Sequence, residues 1–173
     1  YLGNWERRGK YLIGSLHTKE KNSKGFLVVH LRMTGQFKLI EKQTTACKHT
    51  RVIFYEKRGK ELRFIDIRNF GQMWYVSSTK SVPETVSGIK RLGPEPFSSD
   101  FNSRYLKEYL KKKTRSIKSA LLDQETVAGV GNIYADETLF DAGINPKTKS
   151  GSLKTSELKR ICNSLVKILN ISI

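Results

Sequence analysis

Hydrophobic and polar positions alternate in short runs through the first half of the chain and recur at helical spacing through the second. In the first half, Tyr11–Ile13, Gly25–Leu31, Arg51–Tyr55, Glu61–Ile65 and Gln72–Val76 are rich in β-branched and aromatic residues, which suit pleated strands. The chain also opens in a strand-like pattern at Tyr1-Leu-Gly-Asn-Trp-Glu6. Asn22-Ser-Lys-Gly25 and Lys57-Arg-Gly-Lys60 carry turn residues, and the second reads as a hairpin. Along Gly25–Leu31, Leu27, Val29 and Leu31 share one face while Val28 and His30 share the other. A series of short strands predicts a sandwich or barrel. We assign residues 1–80 to this β unit, an antiparallel β-sandwich being the expectation and a barrel the alternative.

Ser77–Ser99 is rich in Ser and holds Pro83, Pro94 and Pro96, which suppress both helix and central strand. Residues 81–99 are therefore read as a connector. Beyond it, Asn102 caps a predicted helix from Ser103, with Phe101 and Leu106 forming a hydrophobic staple. Ser116 caps a second helix that carries Ile117, Ala120 and Leu121 on one face. Asn132–Phe140 is a third, stopped by Gly143 and Pro146. Thr155 is read as the cap of a fourth, with Leu158, Ile161, Leu165, Ile168 and Leu169 at helical spacing. The fold class expected is α+β, with residues 100–173 forming a helical domain.

Charge narrows the choice of partner. Lys and Arg number 32 against 16 acids, a formal charge of +16. Such a field favours polyanions, nucleic acid first and anionic membrane second. The basic residues are spread along the chain rather than gathered in a tail, which suits a folded binding surface. Seven Tyr, eight Phe and two Trp argue for a packed core rather than disorder. Cys47 and Cys162 are far apart and form no C-x-x-C pair, so neither a cysteine metal site nor a disulfide framework is expected. No run approaches the roughly 18 apolar residues of a spanning helix, and the start lacks a signal-peptide pattern. Both ends read as cut, inside a strand-like run and an apolar run, so a longer parent protein is expected.

The segment Val127-Ala-Gly-Val-Gly-Asn-Ile-Tyr-Ala-Asp-Glu137 suggests a phosphate cradle. The dinucleotide fingerprint G-x-G-x-x-G fails, because Tyr134 stands where its third glycine belongs, and what precedes the segment is helical. A nucleotide cofactor is therefore not expected. Glycines between two helices still allow close approach of a backbone, and a following helix N-terminus offers free N–H groups. Spacing alone leaves open a plain helix–helix corner.

Taken together with Lys118-Ser-Ala-Leu-Leu-Asp-Gln124, this segment resembles the helix–two-turn–helix of bacterial formamidopyrimidine-DNA glycosylases. Arg7-Arg-Gly-Lys-Tyr-Leu12, His30-Leu-Arg-Met-Thr-Gly35, Lys48-His49, Asp66-Ile-Arg-Asn-Phe-Gly71, Leu92-Gly-Pro-Glu-Pro96 and Ala142-Gly-Ile-Asn-Pro146 follow in that family's order. The resemblance implies excision of oxidised purines (8-oxoguanine and formamidopyrimidines) by base flipping, Schiff-base formation and elimination. It implies double-stranded DNA with an oxidised purine or abasic site as the partner, a monomer, and cytoplasmic use on the bacterial nucleoid.

The same resemblance implies roles residue by residue. Met33, Arg68 and Phe70 would fill the gap left by the flipped base and meet its orphaned partner. Taken singly, Met33 and Phe70 would sit in a core and Arg68 at a solvated strand end. Lys10 matches a lysine of the catalytic pocket that contacts phosphate and assists proton transfer. His30, His49, Lys113, Arg115, Lys118, Asn132 and Tyr134 would contact the DNA backbone, with Lys111 and Lys112 adding to the basic run. The family pattern usually carries Gly where this chain has Arg32, and Arg where it has Asn69.

The family's nucleophile is an N-terminal proline amine followed by a glutamate. This sequence starts at Tyr1 and its first proline is Pro83, so these residues by themselves are expected to be inactive. The family's four-cysteine zinc finger is likewise not matched. No cofactor is expected within these residues, and a structural zinc is expected in the full-length protein. The alternative is a non-catalytic module of the same fold that binds damaged DNA.

Overall fold

In the computed structural model, which describes residues 1–41, 44–55 and 59–172, seven strands precede six helices. The chain divides into two units, Tyr1–Val86 and Ser87–Ile173. The division falls inside the stretch expected to be a connector.

Strands β1 (Leu2–Arg8), β2 (Tyr11–His17), β3 (Ser23–His30) and β7 (Gln72–Ser77) form one antiparallel sheet in the order β1-β2-β3-β7. A second sheet has the order β4-β6-β5, from β4 (Gln36–Glu41), β5 (Thr50–Tyr55) and β6 (Lys60–Ile65). Val28 and Val29 are both fully buried although they point to opposite faces, because β3 is central and covered on each side. Burial of each contributes about 1.5–3 kcal/mol. In the second sheet Phe37 pairs with Phe64, their rings 5.4 Å apart, and Phe37 also meets Trp5 of the first sheet at 6.1 Å. These aromatic contacts join the two sheets as a sandwich.

The five predicted runs all form strands, the strand-like opening becomes β1, and β4 is an addition. β1 and β4 both lie at sheet edges and are largely exposed, so burial imprints little alternation on their sequence. The predicted turn at Lys57 and Arg58 lies outside the described residues; the flanking strands β5 and β6 pair antiparallel.

A buried ion pair holds the segment that leads into β5. Arg63 and Glu61 of β6, 3% and 4% exposed, lie 2.7 Å apart. Arg63 also donates to the carbonyls of Thr44 and Thr45. The pair is on the same strand face, two residues apart, so its geometry is fixed by the pleat.

The helices α1 (Val82–Thr85) and α2 (Ser87–Lys90) correct the expectation that the connector would hold none. Pro83 lies in the first turn of α1, where the missing N–H has no helical partner to lose. The Glu84 carboxylate accepts the Ser81 N–H at 3.1 Å and completes the helix start.

In the second unit, α3 (Ser103–Leu110) begins with the Asn102 side chain accepting from the Tyr105 N–H at 3.0 Å. Phe101 and Leu106 are both buried, as the staple requires. α4 (Ile117–Leu122) is capped by Ser116, whose hydroxyl accepts from the Ser119 N–H. α5 (Asn132–Asp141) and α6 (Thr155–Ile171) complete the unit. The predicted cap moves by one residue: Thr155 is already helical, Lys154 is the cap, and Glu157 accepts the Lys154 N–H at 2.7 Å. Leu106, Leu110, Ile117, Leu121, Leu139, Leu158, Ile161 and Leu165 form the core.

Candidate nucleic-acid interface

In the first unit, two loops carry the three residues expected to enter a base stack. One follows β3 and holds Met33; the other follows β6 and holds Arg68 and Phe70. Met33 is 71% and Phe70 58% exposed, an unusual placement for large apolar side chains. The Arg68 guanidinium donates to the Met33 sulfur at 3.2 Å, so the two loops present one surface.

That surface is braced from beneath. Asp66, 1% exposed, accepts from the Thr34 hydroxyl and from the backbone N–H groups of Arg68 (3.2 Å) and Gly71 (2.7 Å). Thr34 in turn accepts a second bond from the Arg68 N–H at 3.1 Å. The Thr34 hydroxyl first, then the Gly71 amide, holds the Asp66 carboxyl below the ordinary carboxylate range. Phe64 supplies the apolar floor: a Cβ at Gly35 or Gly71 would come within 3.0 Å of its ring carbons. Both loops therefore rest on one ring, and glycine is required where each touches it. In the sequence alone, Asp66 and Thr34 stand inside matched motifs with no role of their own. A carboxylate directly after a strand and two residues before a loop N–H is the pattern that would have found the brace.

His49 is tied to the same loop base, because its carbonyl accepts from the Asp66 N–H at 3.0 Å. Arg51 adds a bond from its Nε to the Asp66 carbonyl at 2.9 Å.

Lys10 and His30 form a second group on the first sheet. β2 pairs Tyr11 with His30, and their rings meet edge-on at 4.8 Å. Lys10 stands one residue before that pair and remains exposed. Its ammonium pKa is lowered, by partial desolvation first and the charge of Arg32 second. His30 is also lowered, by desolvation first, then by Arg32 and Lys10. The imidazole is therefore neutral near pH 7. Arg32 and Asn69 both adopt left-handed backbone with φ +57°.

The glycine-rich turn of the second unit is organised by Gln124. Its side-chain amide donates to the carbonyls of Leu122 (3.0 Å) and Val130 (2.9 Å) and accepts from the Gly129 N–H (2.9 Å). Gly129 has φ +86°, which a side chain would resist. Val127, Ala128 and Val130 are fully buried beside it. α5 begins immediately afterwards at Asn132, which is exposed, while Tyr134 packs partly against the core. The first-turn N–H groups of a helix lack helical acceptors, so an exposed start beside Asn132 suits an anion.

Three cations expected to meet phosphate have protein partners. Lys118 donates to Asp136 at 2.8 Å, with both side chains partly exposed. Lys113 lies 5.5 Å above the Tyr109 ring. Arg115 is committed more fully, to Asp123 at 2.6 Å and the Thr126 hydroxyl at 3.0 Å. Arg115 thus braces the turn that leads into the glycines.

Among the described residues, no group of three His, Cys, Asp or Glu side chains could hold a metal ion. Cys47 is exposed in the first unit, and burial pushes the Cys162 thiol in the second up to about 11. These residues do not fit a zinc site. Among the described residues, no helix is long and apolar enough to cross a membrane.

Two family models match. One describes the formamidopyrimidine-DNA glycosylase N-terminal domain, over residues 1–73, and the other the H2TH domain of formamidopyrimidine-DNA glycosylase, over residues 92–173. The chain is 85% identical over 173 residues to the formamidopyrimidine-DNA glycosylase of Prochlorococcus marinus strain NATL1A. That match covers 100% of this chain and 61% of the relative. It is 53% identical to the protein of the same name from Parasynechococcus marenigrum strain WH8102, over 99% of this chain and 60% of the relative. Among solved structures, it is similar to Lactococcus lactis Fpg in complex with abasic-site DNA. The TM-score is 0.88 at 34% identity, covering 99% of this chain and 60% of that one. The complex of the Lactococcus lactis protein with Fapy-dG-containing DNA matches equally, with a TM-score of 0.88. The chain spans about three-fifths of the length of the relatives it matches.

Proposed function

Because this chain belongs to the formamidopyrimidine-DNA glycosylase family, we propose that its parent protein excises oxidised purines from duplex DNA and cleaves the resulting abasic strand. The observation that carries this reading is the braced surface of Met33, Arg68 and Phe70. Two apolar side chains are held in solvent beside a guanidinium, and the loops beneath them are fixed by a buried carboxylate. A thioether and a ring in that position wedge into a base stack, and the guanidinium bonds the base left without a partner.

The remaining residues take the roles of binding and proton handling. Lys10 and His30 meet the phosphate beside the lesion, and the lowered pKa of Lys10 favours its giving up a proton. His49, Lys113, Lys118, Asn132 and Tyr134 contact the backbone of the duplex. Arg115 acts in that set by holding the turn rather than by reaching the DNA. The excision step follows the family's chemistry: a secondary amine attacks the sugar's anomeric carbon and displaces the base, and the ring C–O bond then opens to give an iminium while the ring oxygen takes up a proton. Elimination then breaks the strand, and hydrolysis frees the amine. We place the protein in the bacterial cytoplasm as a monomer, with a structural zinc held by residues beyond those described.

Borohydride trapping on a duplex with a single 8-oxoguanine tests the reading. The full-length protein is expected to form a covalent adduct with the lesion strand and not with the undamaged one. Lesion binding without an adduct would make the protein a damage-binding module instead.

A further inference from the structure

Arg32 stands at a cost that the fold does not explain. Its backbone lies in the left-handed region at φ +57°, which a residue with a Cβ rarely adopts. Its side chain also brings a permanent positive charge beside Lys10, another cation, and their repulsion helps to lower the ammonium pKa. Neither Lys10 nor Arg32 has an ion pair among the described residues. The Arg32 guanidinium is exposed, held by a single neutral bond to the Gln72 side chain at 3.0 Å.

The same residue sets the chemistry of His30. The Arg32 backbone N–H donates to His30 Nδ1 at 3.1 Å, so in the neutral ring the proton sits on Nε2. Tyr11 packs edge-on against that ring and fixes its plane. Gln72 is the register partner of His30 across β3 and β7, which places the Arg32 guanidinium over the His30 position. Three donors with no acid among them therefore converge on one corner of the sheet: the Lys10 ammonium, the His30 Nε2–H and the Arg32 guanidinium.

We propose that Arg32 is a further phosphate-binding residue, which joins Lys10 and His30 in a single site for the phosphodiester backbone of the lesion strand. This rests on the reading of the protein as a DNA-binding enzyme. A phosphate there offsets the repulsion between Lys10 and Arg32 and accepts from all three groups. The bond to Gln72 parks the guanidinium, and a neutral amide releases it more readily than a carboxylate would. Gln72 thus keeps the arginine over the site without neutralising it.

The test separates the side chain of Arg32 from its backbone. Arg32→Gly keeps the N–H that orients His30 and suits the positive φ, so the fold is retained while the charge is lost. Binding of the full-length protein to a duplex with a tetrahydrofuran abasic analogue is measured from low to moderate salt, for wild type, Arg32→Gly, Arg32→Lys and Lys10→Ala. Arg32→Gly is expected to lower the slope of log K against log salt by roughly 0.9, the value for one phosphate contact. Arg32→Lys should largely restore the slope. The ¹⁵N shifts of His30 should report the same Nε2–H tautomer in the free Arg32→Gly protein as in wild type. An unchanged slope in Arg32→Gly, with Lys10→Ala still weakening binding, would overturn the proposal and leave the DNA-binding reading intact. If neither substitution affects binding to any duplex, the broader reading fails instead.

Discussion

The guanidinium of Arg68 donates to the sulfur of Met33 at 3.2 Å, joining two loops that are 35 residues apart in sequence. Both side chains are exposed, so the contact adds little to folding; in the proposed wedge it holds the arginine at a fixed height beside an apolar side chain. Arg68→Ala is expected to leave stability nearly unchanged. It should weaken discrimination of the base opposite the lesion by roughly 1–3 kcal/mol. A double-mutant cycle with Met33→Ala on lesion binding should show coupling, and strict additivity would mean that the two residues act separately.

Asp66 controls both loops at once. Asp66→Asn exchanges an acceptor for a donor against N–H groups that are already donors, so the loops after β3 and β6 should loosen together. Amide exchange at Arg68 and Gly71 should accelerate, while β3 itself stays protected. Because the folded carboxyl pKa is depressed, its contribution is fully present above the unfolded value of about 3.9. The contribution is lost as pH falls from there through the lowered folded value. A protein whose acid unfolding is identical in wild type and Asp66→Asn would refute the brace.

The Lys118–Asp136 pair sets up a competition at the second unit. In the proposed DNA complex a phosphate draws Lys118 from Asp136, which lies 2.8 Å away. Asp136→Asn should therefore tighten binding to any duplex, and Lys118→Ala should weaken it and reduce the salt slope by about one contact. Asn132→Ala should weaken binding similarly without regard to sequence. Fluorescence anisotropy at several salt concentrations distinguishes these outcomes. Weaker binding by Asp136→Asn would show that the carboxylate positions the lysine rather than competing for it.

Removing half of the buried pair on β6 should be severe. Arg63→Met leaves Glu61 buried without its partner and frees the carbonyls of Thr44 and Thr45. The expected loss is about 3–5 kcal/mol in urea unfolding of the intact protein. Replacing both residues with apolar ones should recover much of it. A small loss in Arg63→Met alone would mean that Glu61 finds another partner or water.

The helix starts show how far local sequence reaches. Asn102 and Ser116 are caps in the structure because their side chains satisfy amides only three residues away, a bond that needs no distant partner. The spacing of Leu158, Ile161 and Leu165 likewise fixed a buried face. Thr155 lies one residue inside its helix rather than at the cap, and it is Glu157 that meets the open amide of the cap residue Lys154. Pro83 was misjudged because a proline at a first helical turn loses no bond. Strands β1 and β4 were weak in the sequence because an exposed edge strand is held by its neighbour's backbone rather than by its own side chains.

What the sequence determined by itself was therefore the α+β order, the caps of α3 and α4, the core faces and the set of motifs that mark the family. Only the tertiary structure decided which charges are free to meet a ligand. Arg115 looks like Lys113 in the sequence, yet it is bound to Asp123 and Thr126, whereas Lys113 rests on a ring. Asp66 looks like any strand-end acid, yet it joins loops that the sequence keeps far apart. Arg32 looks like one more surface cation, yet it stands on a strained backbone above His30. The reason is physical: a cap is a bond between near neighbours, whereas the freedom of a charge depends on every group that folding brings beside it.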